Sequence, residues 1–271
     1  MADDQSPQIR KILRQTILDS SYDIIFNRLE FSRQIPPEFR ENLNSLLDSL
    51  HFDLVKSAFH RLVAGNLEDI DLEKAALLLS YWNNPSVNLA GVRNKIDQYA
   101  AEVGSRFALL ENPFSQVEHL SYFMFKKYNF RGNTDDYYHP DNSFLDRVLE
   151  THKGIPISLS LLIMLIGQRL SIPLEGVPMP AHFILKFISG GEEMFFDPYY
   201  RGQTYSRQEC LAYLNNANVE NPHEILDGCP HYQIVLRIMR NIRLVYSSYR
   251  DEEEKVSQVE QFISLIEQHY Q

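Results

Sequence analysis

With 271 residues the chain is long enough to bury a core without disulfide or metal staples, as one large domain or two smaller ones. A hydrophobic fraction of 44% with 12% aromatic residues excludes a disordered chain, and a formal net charge of -10 without a basic stripe excludes a phosphate-neutralising, nucleic-acid-binding surface. Two cysteines, Cys210 and Cys229, with no CxxC pair argue against a disulfide framework or a zinc cluster, so no metal and no cofactor is expected and a reducing, cytoplasmic setting is.

The amino terminus, MADDQSPQIRK, has no basic region followed by an apolar run, so no secretory leader is expected. The longest strongly apolar run, residues 155–166, is too short for a bilayer and holds two serines and a proline, so a membrane partner is not expected either. Residues 9–31 carry Ile9, Ile12, Leu13, Ile17, Ile24, Ile25 and Leu29 at helical spacing. Pro36 and Pro37 close that helix and open another, in which Leu43, Leu46, Leu47, Leu50, Leu54, Ala58 and Leu62 form a stripe before a stop at Gly65-Asn66.

Asp71 is placed to cap a helix over 71–82, and a turn at Asn83-Asn84-Pro85 leads to a further helix over 87–103. The reading is a helical packing layer. Another helix is expected over 112–128, then a polar and aromatic loop, NFRGNTDDYYHPDNS. That loop contains His139-Pro140-Asp141, the tripeptide of J-domain co-chaperones, but its neighbours are acidic and turn-forming where a J-domain needs basic helices. His139 is read as a surface residue in preference to that motif or to a metal site with Asp135, Asp136 and Asp141.

Asn142 or Ser143 is placed to cap a helix through Glu150 whose Phe144, Leu145, Val148 and Leu149 face inward, with a break at Lys153-Gly154. Pro156 suits the first turn of the next helix, ISLSLLIMLIGQRL, which is apolar almost all round and therefore central. A strand is expected over 182–187, with Phe183, Leu185 and Phe187 on one face and His182, Ile184 and Lys186 on the other. Ser189-Gly190-Gly191 turns the chain into a return strand over 194–196 that ends at Asp197-Pro198. If the two strands pair, His182 and Asp197 meet at one end of the sheet, where a carboxylate can orient an imidazole.

The string NSFLDRVLETHKGIPISLS, then PMPAHFILKF, then FFDPYYRG resembles the transglutaminase-like branch of the papain-type fold. More narrowly, it is similar to the bacterial transglutaminase-like, tetratricopeptide-tailed SirB-type regulators, from about residue 71 onward. The resemblance implies an α+β, mostly helical chain: an N-terminal helical region over 1–105, and a core over 106–225 with one buried helix on a small antiparallel sheet. A helical hairpin over 226–271 completes it.

Active members place a nucleophilic Cys after a Gly-x dipeptide in the first turn of the central helix, where unpaired amides and the helix dipole lower a thiol pKa. Here Gly154-Ile155 is followed by Pro156, and the nearest nucleophilic side chain is Ser158. His182 and Asp197 fall on the family's histidine and aspartate positions, while Ala181 stands where Gly more often precedes the histidine.

The missing thiol weighs against an enzyme. The reading adopted is a non-catalytic scaffold that binds or regulates another protein; its alternative is an acyl-transfer or amide hydrolase using Ser158, His182 and Asp197. In the first reading Ser158 is a cap or satisfied core hydroxyl and His182–Asp197 a retained hydrogen-bonded pair. Cys210, beside Glu209 in a helix beginning near Ser206, and Cys229, in a Gly-Cys-Pro turn, are read as structural. Two final helices over 232–249 and 252–270 resemble one tetratricopeptide-like hairpin packed on the core.

Overall fold

The computed structural model describes residues 7–27, 36–65, 68–110 and 112–270; the expected helical positions Leu29 and Phe31 and the stop at Asn66 lie outside them. Among the described residues the first helices are α1 (Pro7–Asp19), α2 (Ser21–Phe26), α3 (Pro37–Ser49) and α4 (His51–Val63). Pro37 sits in the first turn of α3, where its missing N–H costs nothing. α5 (Leu72–Asn83) begins at Asp71, whose side chain accepts from Lys74 N at 3.0 Å, and it is buried nearly all round. α6 (Leu89–Gly104) starts two residues later than the apolar pattern suggested, because Asn88 accepts from Gly91 N at 3.0 Å and takes the cap.

The helix expected over 112–128 divides in two. α7 (Pro113–Ser121) is regular, with Asn112 accepting from Phe114 N at 2.9 Å. Tyr122–Lys127 then widens into a π-helical turn closed by Tyr128 N donating to Phe123 O at 2.8 Å, which buries Phe123, Met124 and Phe125 in succession. Downstream, the expected plain loop contains a short strand, β1 (Arg131–Gly132), paired in parallel with β2 (Lys153–Gly154). Asn142 and Ser143 do not cap the following helix; they lie in a 3-10 turn (Pro140–Ser143), and α8 (Leu145–Thr151) starts after Phe144.

α9 (Pro156–Arg169) is the axis of the molecule, with every residue from Pro156 to Gly167 buried. Against it lies an antiparallel sheet in the order β3 (Leu174–Val177), β4 (Ile184–Ser189), β5 (Glu192–Asp197) and β6 (Gln203–Tyr205). The two faces of β4 divide as its alternation implied. Phe183, Leu185 and Phe187 join the main core, whereas Ile184 and Phe195 join a smaller cluster with Cys210 and Leu214 of α10 (Arg207–Asn216) and Leu226 of α11 (Pro222–Leu226). Lys186, also on this second face, is buried and offset by Glu175 Oε2 at 2.7 Å and the Asp227 carbonyl at 2.9 Å.

α12 (His231–Tyr246) and α13 (Glu253–Tyr270) form the closing hairpin. Their apolar faces reach back across the chain. The Phe262 ring lies 4.9 Å from that of Phe59, Trp82 Nε1 donates to Gln258 Oε1 at 2.7 Å, and Tyr246 Oη donates to Asn83 Oδ1 at 2.6 Å. The main apolar cluster therefore extends from Ile17 to Ile266. Burying a ring such as Phe262 stabilises the fold by about 2–3 kcal/mol, which fastens the hairpin to the first helices. Among the described residues no helix is long and apolar enough to cross a membrane.

Candidate functional site

The β4–β5 hairpin sets the site. Gly190 and Gly191 have φ of +60° and +85°, the left-handed pair that a two-residue hairpin turn requires, and they lock Ser189 opposite Glu192 and Leu185 opposite Phe196. Carried to the open end, that register brings the segment before β4 beside the segment after β5. His182 itself is not in the strand, contrary to its expected place at residue 182 of a 182–187 strand. Pro178 and Pro180 lack ladder donors, and the chain turns there instead, with His182 N donating to Met179 O at 3.1 Å and Ala181 at φ +53°. Gly is favoured at such a φ, so Ala181 is held in a conformation that an L-residue adopts at a cost.

His182 and Asp197 meet. Nε2 lies 2.5 Å from Asp197 Oδ2, and the other carboxylate oxygen accepts from Tyr199 N at 2.9 Å and Tyr200 N at 3.2 Å. Asp197 is 1% exposed, so its charge is held by three donors instead of water. The imidazole is edge-on to Tyr199 and tilted against Tyr200, at ring separations of 5.9 and 5.7 Å. Nδ1 makes no hydrogen bond to the described residues. A cavity of about 460 Å³ opens beside the ring, walled by Met179, Tyr200, Tyr205, Cys210 and Tyr213.

Ser158 is placed differently. Its Oγ donates to Asn142 O at 2.5 Å, accepts from Ile155 N at 3.1 Å, and is 2% exposed. This hydroxyl caps α9 and ties it to the preceding loop. Gly154 leaves room for it, since a Cβ there would come within 2.7 Å of Oγ. No hydrogen bond joins Ser158 to His182, and Ser158 does not line the cavity. The helix start and the histidine side are linked through β1 instead: Asn133 N donates to Gly154 O at 3.0 Å, and Gly132 N to Tyr199 O at 3.1 Å.

Asn142, read from sequence as a helix cap, is the hub of this linkage. Its Nδ2 donates to Asp136 O at 2.7 Å and Tyr137 O at 3.0 Å, its Oδ1 accepts from Asn133 Nδ2 at 2.9 Å, and its carbonyl receives Ser158. The only signal for this in the sequence was its place inside the string that carries the family resemblance. His139 stays about half exposed, with Nδ1 accepting from Asp141 N at 3.2 Å. Among the described residues no group of three or more His, Cys, Asp or Glu is arranged to hold a metal ion.

Neither cysteine is primed for attack. Burial, aided by Glu209, pushes the Cys210 thiol up to about 11, and burial pushes Cys229 up to about 12. Both are protonated at neutral pH. Cys210 shares the cavity wall with His182, so the cavity holds an oriented imidazole and a protonated thiol.

A UPF0162 protein of Xylella fastidiosa is 28% identical over 187 residues, which is 67% of this chain and 66% of that protein. A UPF0162 protein of Vibrio cholerae is 26% identical over 55% of each chain. Human F-box only protein 21 is 32% identical over 132 residues, 45% of this chain and 21% of that protein. The chain thus spans about two thirds of the first bacterial relative and about a fifth of the human one. No solved structure matches the chain. The model of the transglutaminase-like superfamily matches residues 90–240, which takes in α9, the His182–Asp197 pair and the whole sheet; the chain belongs to that superfamily.

Proposed function

We propose that this protein is a non-catalytic transglutaminase-like scaffold, a SirB-type cytoplasmic module that binds or regulates another protein. The observation that carries this reading is the state of Ser158: its hydroxyl is buried, donates to Asn142 O, and accepts from Ile155 N. A nucleophile must be free to meet its base, and this one is committed to holding α9. The protonated Cys210 offers no replacement.

The His182–Asp197 pair then serves recognition. Tyr200 and Tyr213, 56% and 46% exposed, form a rim of the kind protein partners use, with apolar ring faces and polar tips. A related segment occupies only 21% of the human relative, which fits a part used inside larger proteins. α12 and α13 make a single tetratricopeptide-like hairpin whose inner face is spent on packing, so the partner surface is assigned to the His182 side. The alternative, an acyl-transfer or amide hydrolase using Ser158, His182 and Asp197, requires Ser158 to leave its cap.

A fluorophosphonate probe separates the two. The expected result is no labelling of the folded protein; labelling that disappears in both Ser158→Ala and His182→Ala would establish the hydrolase.

A further inference from the structure

Arg237 on α12 is a half-buried cation without a countercharge. Its Nη2 donates to the backbone oxygens of Met179 at 2.9 Å and His182 at 2.7 Å, and its guanidinium lies 5.6 Å from the centre of the Phe183 ring. Those partners are dipoles and a π face. Among the described residues no carboxylate lies within ion-pair distance of it. Three other half-buried arginines have carboxylate partners: Arg169 is paired with Glu73 and Asp97, Arg147 with Asp141, and Arg207 with Glu193. Arginine cannot escape the cost by losing its proton, so a compensating charge is called for. Burial lowers its proton affinity below that of an ordinary arginine, in agreement with an uncompensated position.

Arg237 also lines a second cavity, of about 510 Å³, distinct from the one beside the imidazole. Gln233 and Arg240 line it from one turn on either side of the same helix, which is the spacing that puts side chains on one face. Arg240 is more than half exposed and is held at the rim by Glu267 at 2.9 Å. Of the N–H groups on Arg237, only those of Nη2 have acceptors among the described residues; Nη1 and Nε have none. The two carbonyls therefore fix the plane of a guanidinium that retains donors for a ligand.

We propose that this cavity, whose lining also includes Glu267, binds an anionic group, a carboxylate or a phosphate, with Arg237 as the fixed clamp and Arg240, which it shares with Glu267 at the rim, as the second cation. A planar guanidinium with free donors on one edge matches either group in two-point fashion. The same Arg237 holds the turn that presents His182, so binding also registers at that turn. The assignment does not depend on whether the His182 cavity binds a partner or performs chemistry.

The test is an NMR titration of the full-length ¹⁵N-labelled chain with inorganic phosphate and, separately, acetate, at ionic strength held constant with chloride. The arginine Nε–H signals and the His182 backbone amide are followed. Saturable shifts at Arg237 and His182 are expected, with binding about threefold to tenfold weaker in Arg240→Gln. Saturation by phosphate alone identifies a phosphate site, and saturation by acetate identifies a carboxylate site. Arg237→Gln removes the response if it folds; because that substitution also frees two backbone carbonyls, Arg240→Gln, near the surface, is the deciding variant. Shifts that rise linearly with both anions, or an unchanged affinity in Arg240→Gln, would overturn the assignment.

Discussion

Two serines on α9, two residues apart, should respond oppositely to the same substitution. Ser158 Oγ makes a 2.5 Å bond to Asn142 O and receives the Ile155 N–H at 3.1 Å; Ser160 Oγ, equally inside, has no partner among the described residues. In Ser158→Ala the Ile155 N–H keeps only a 3.4 Å contact to Asn142 O, and the Asn142 carbonyl loses its shorter donor. Two hydrogen bonds at about 1 kcal/mol each give a loss of about 2 kcal/mol, within the range for removing a helix cap. For a chain of this size that lowers Tm by about 4–8 °C. Ser160→Ala instead removes an unpaired buried hydroxyl, so its stability should match or exceed the parent by up to about 1 kcal/mol. Urea midpoints with matched m-values provide the measurement. If Ser158→Ala stayed within about 0.5 kcal/mol of the parent, or both serines cost the same, the cap account of Ser158 would be wrong.

Two further outcomes follow from strain and charge. Ala181 holds φ +53°, a conformation that costs an L-residue about 1–2 kcal/mol, so Ala181→Gly should gain up to about 1 kcal/mol after the extra freedom of glycine in the unfolded chain is subtracted. A thermal melt that shifts downward would refute the strain. Burial raises the Asp146 carboxyl above its ordinary pKa, and its Oδ1 has no partner among the described residues. The folded state thus holds that proton more tightly than the unfolded state, so the stabilisation is present below the usual aspartate range and is lost as pH rises through the raised value. Asp146→Asn should therefore be more stable than the parent at pH 7, and the difference should shrink below about pH 4; a constant difference across that range in denaturant titrations would contradict it.

Legibility in the sequence tracked the reach of each interaction. Asp71 as a cap, Pro156 in a first helical turn, the burial of α9 and the Gly190-Gly191 turn were all readable, because each depends on residues within about one helical turn. The pairing of the two strands was readable from the glycine turn, but the ladder sets Leu185 opposite Phe196 and stops short of residue 182; the proline-bearing turn before β4 brings the imidazole to Asp197. β3 and β6 were not foreseen: at four and three residues they carry no alternation, and they exist because β4 and β5 offer edges to pair with. The π-helical turn at 122–127 likewise depends on what the three consecutive side chains at 123–125 must fill.

The chain's own order of residues was enough to establish an α+β architecture around one apolar helix, and to pair an imidazole with a carboxylate at the mouth of a hairpin. Tertiary structure decided what each polar group is free to do. The Ser158 hydroxyl is committed by a carbonyl 16 positions earlier, and the turn bearing His182 is held by an arginine 55 positions later. Backbone preference is a local property and can be read along the chain; hydrogen-bond satisfaction is a property of the folded volume, where the partner is whichever donor or acceptor packing brings within about 3 Å.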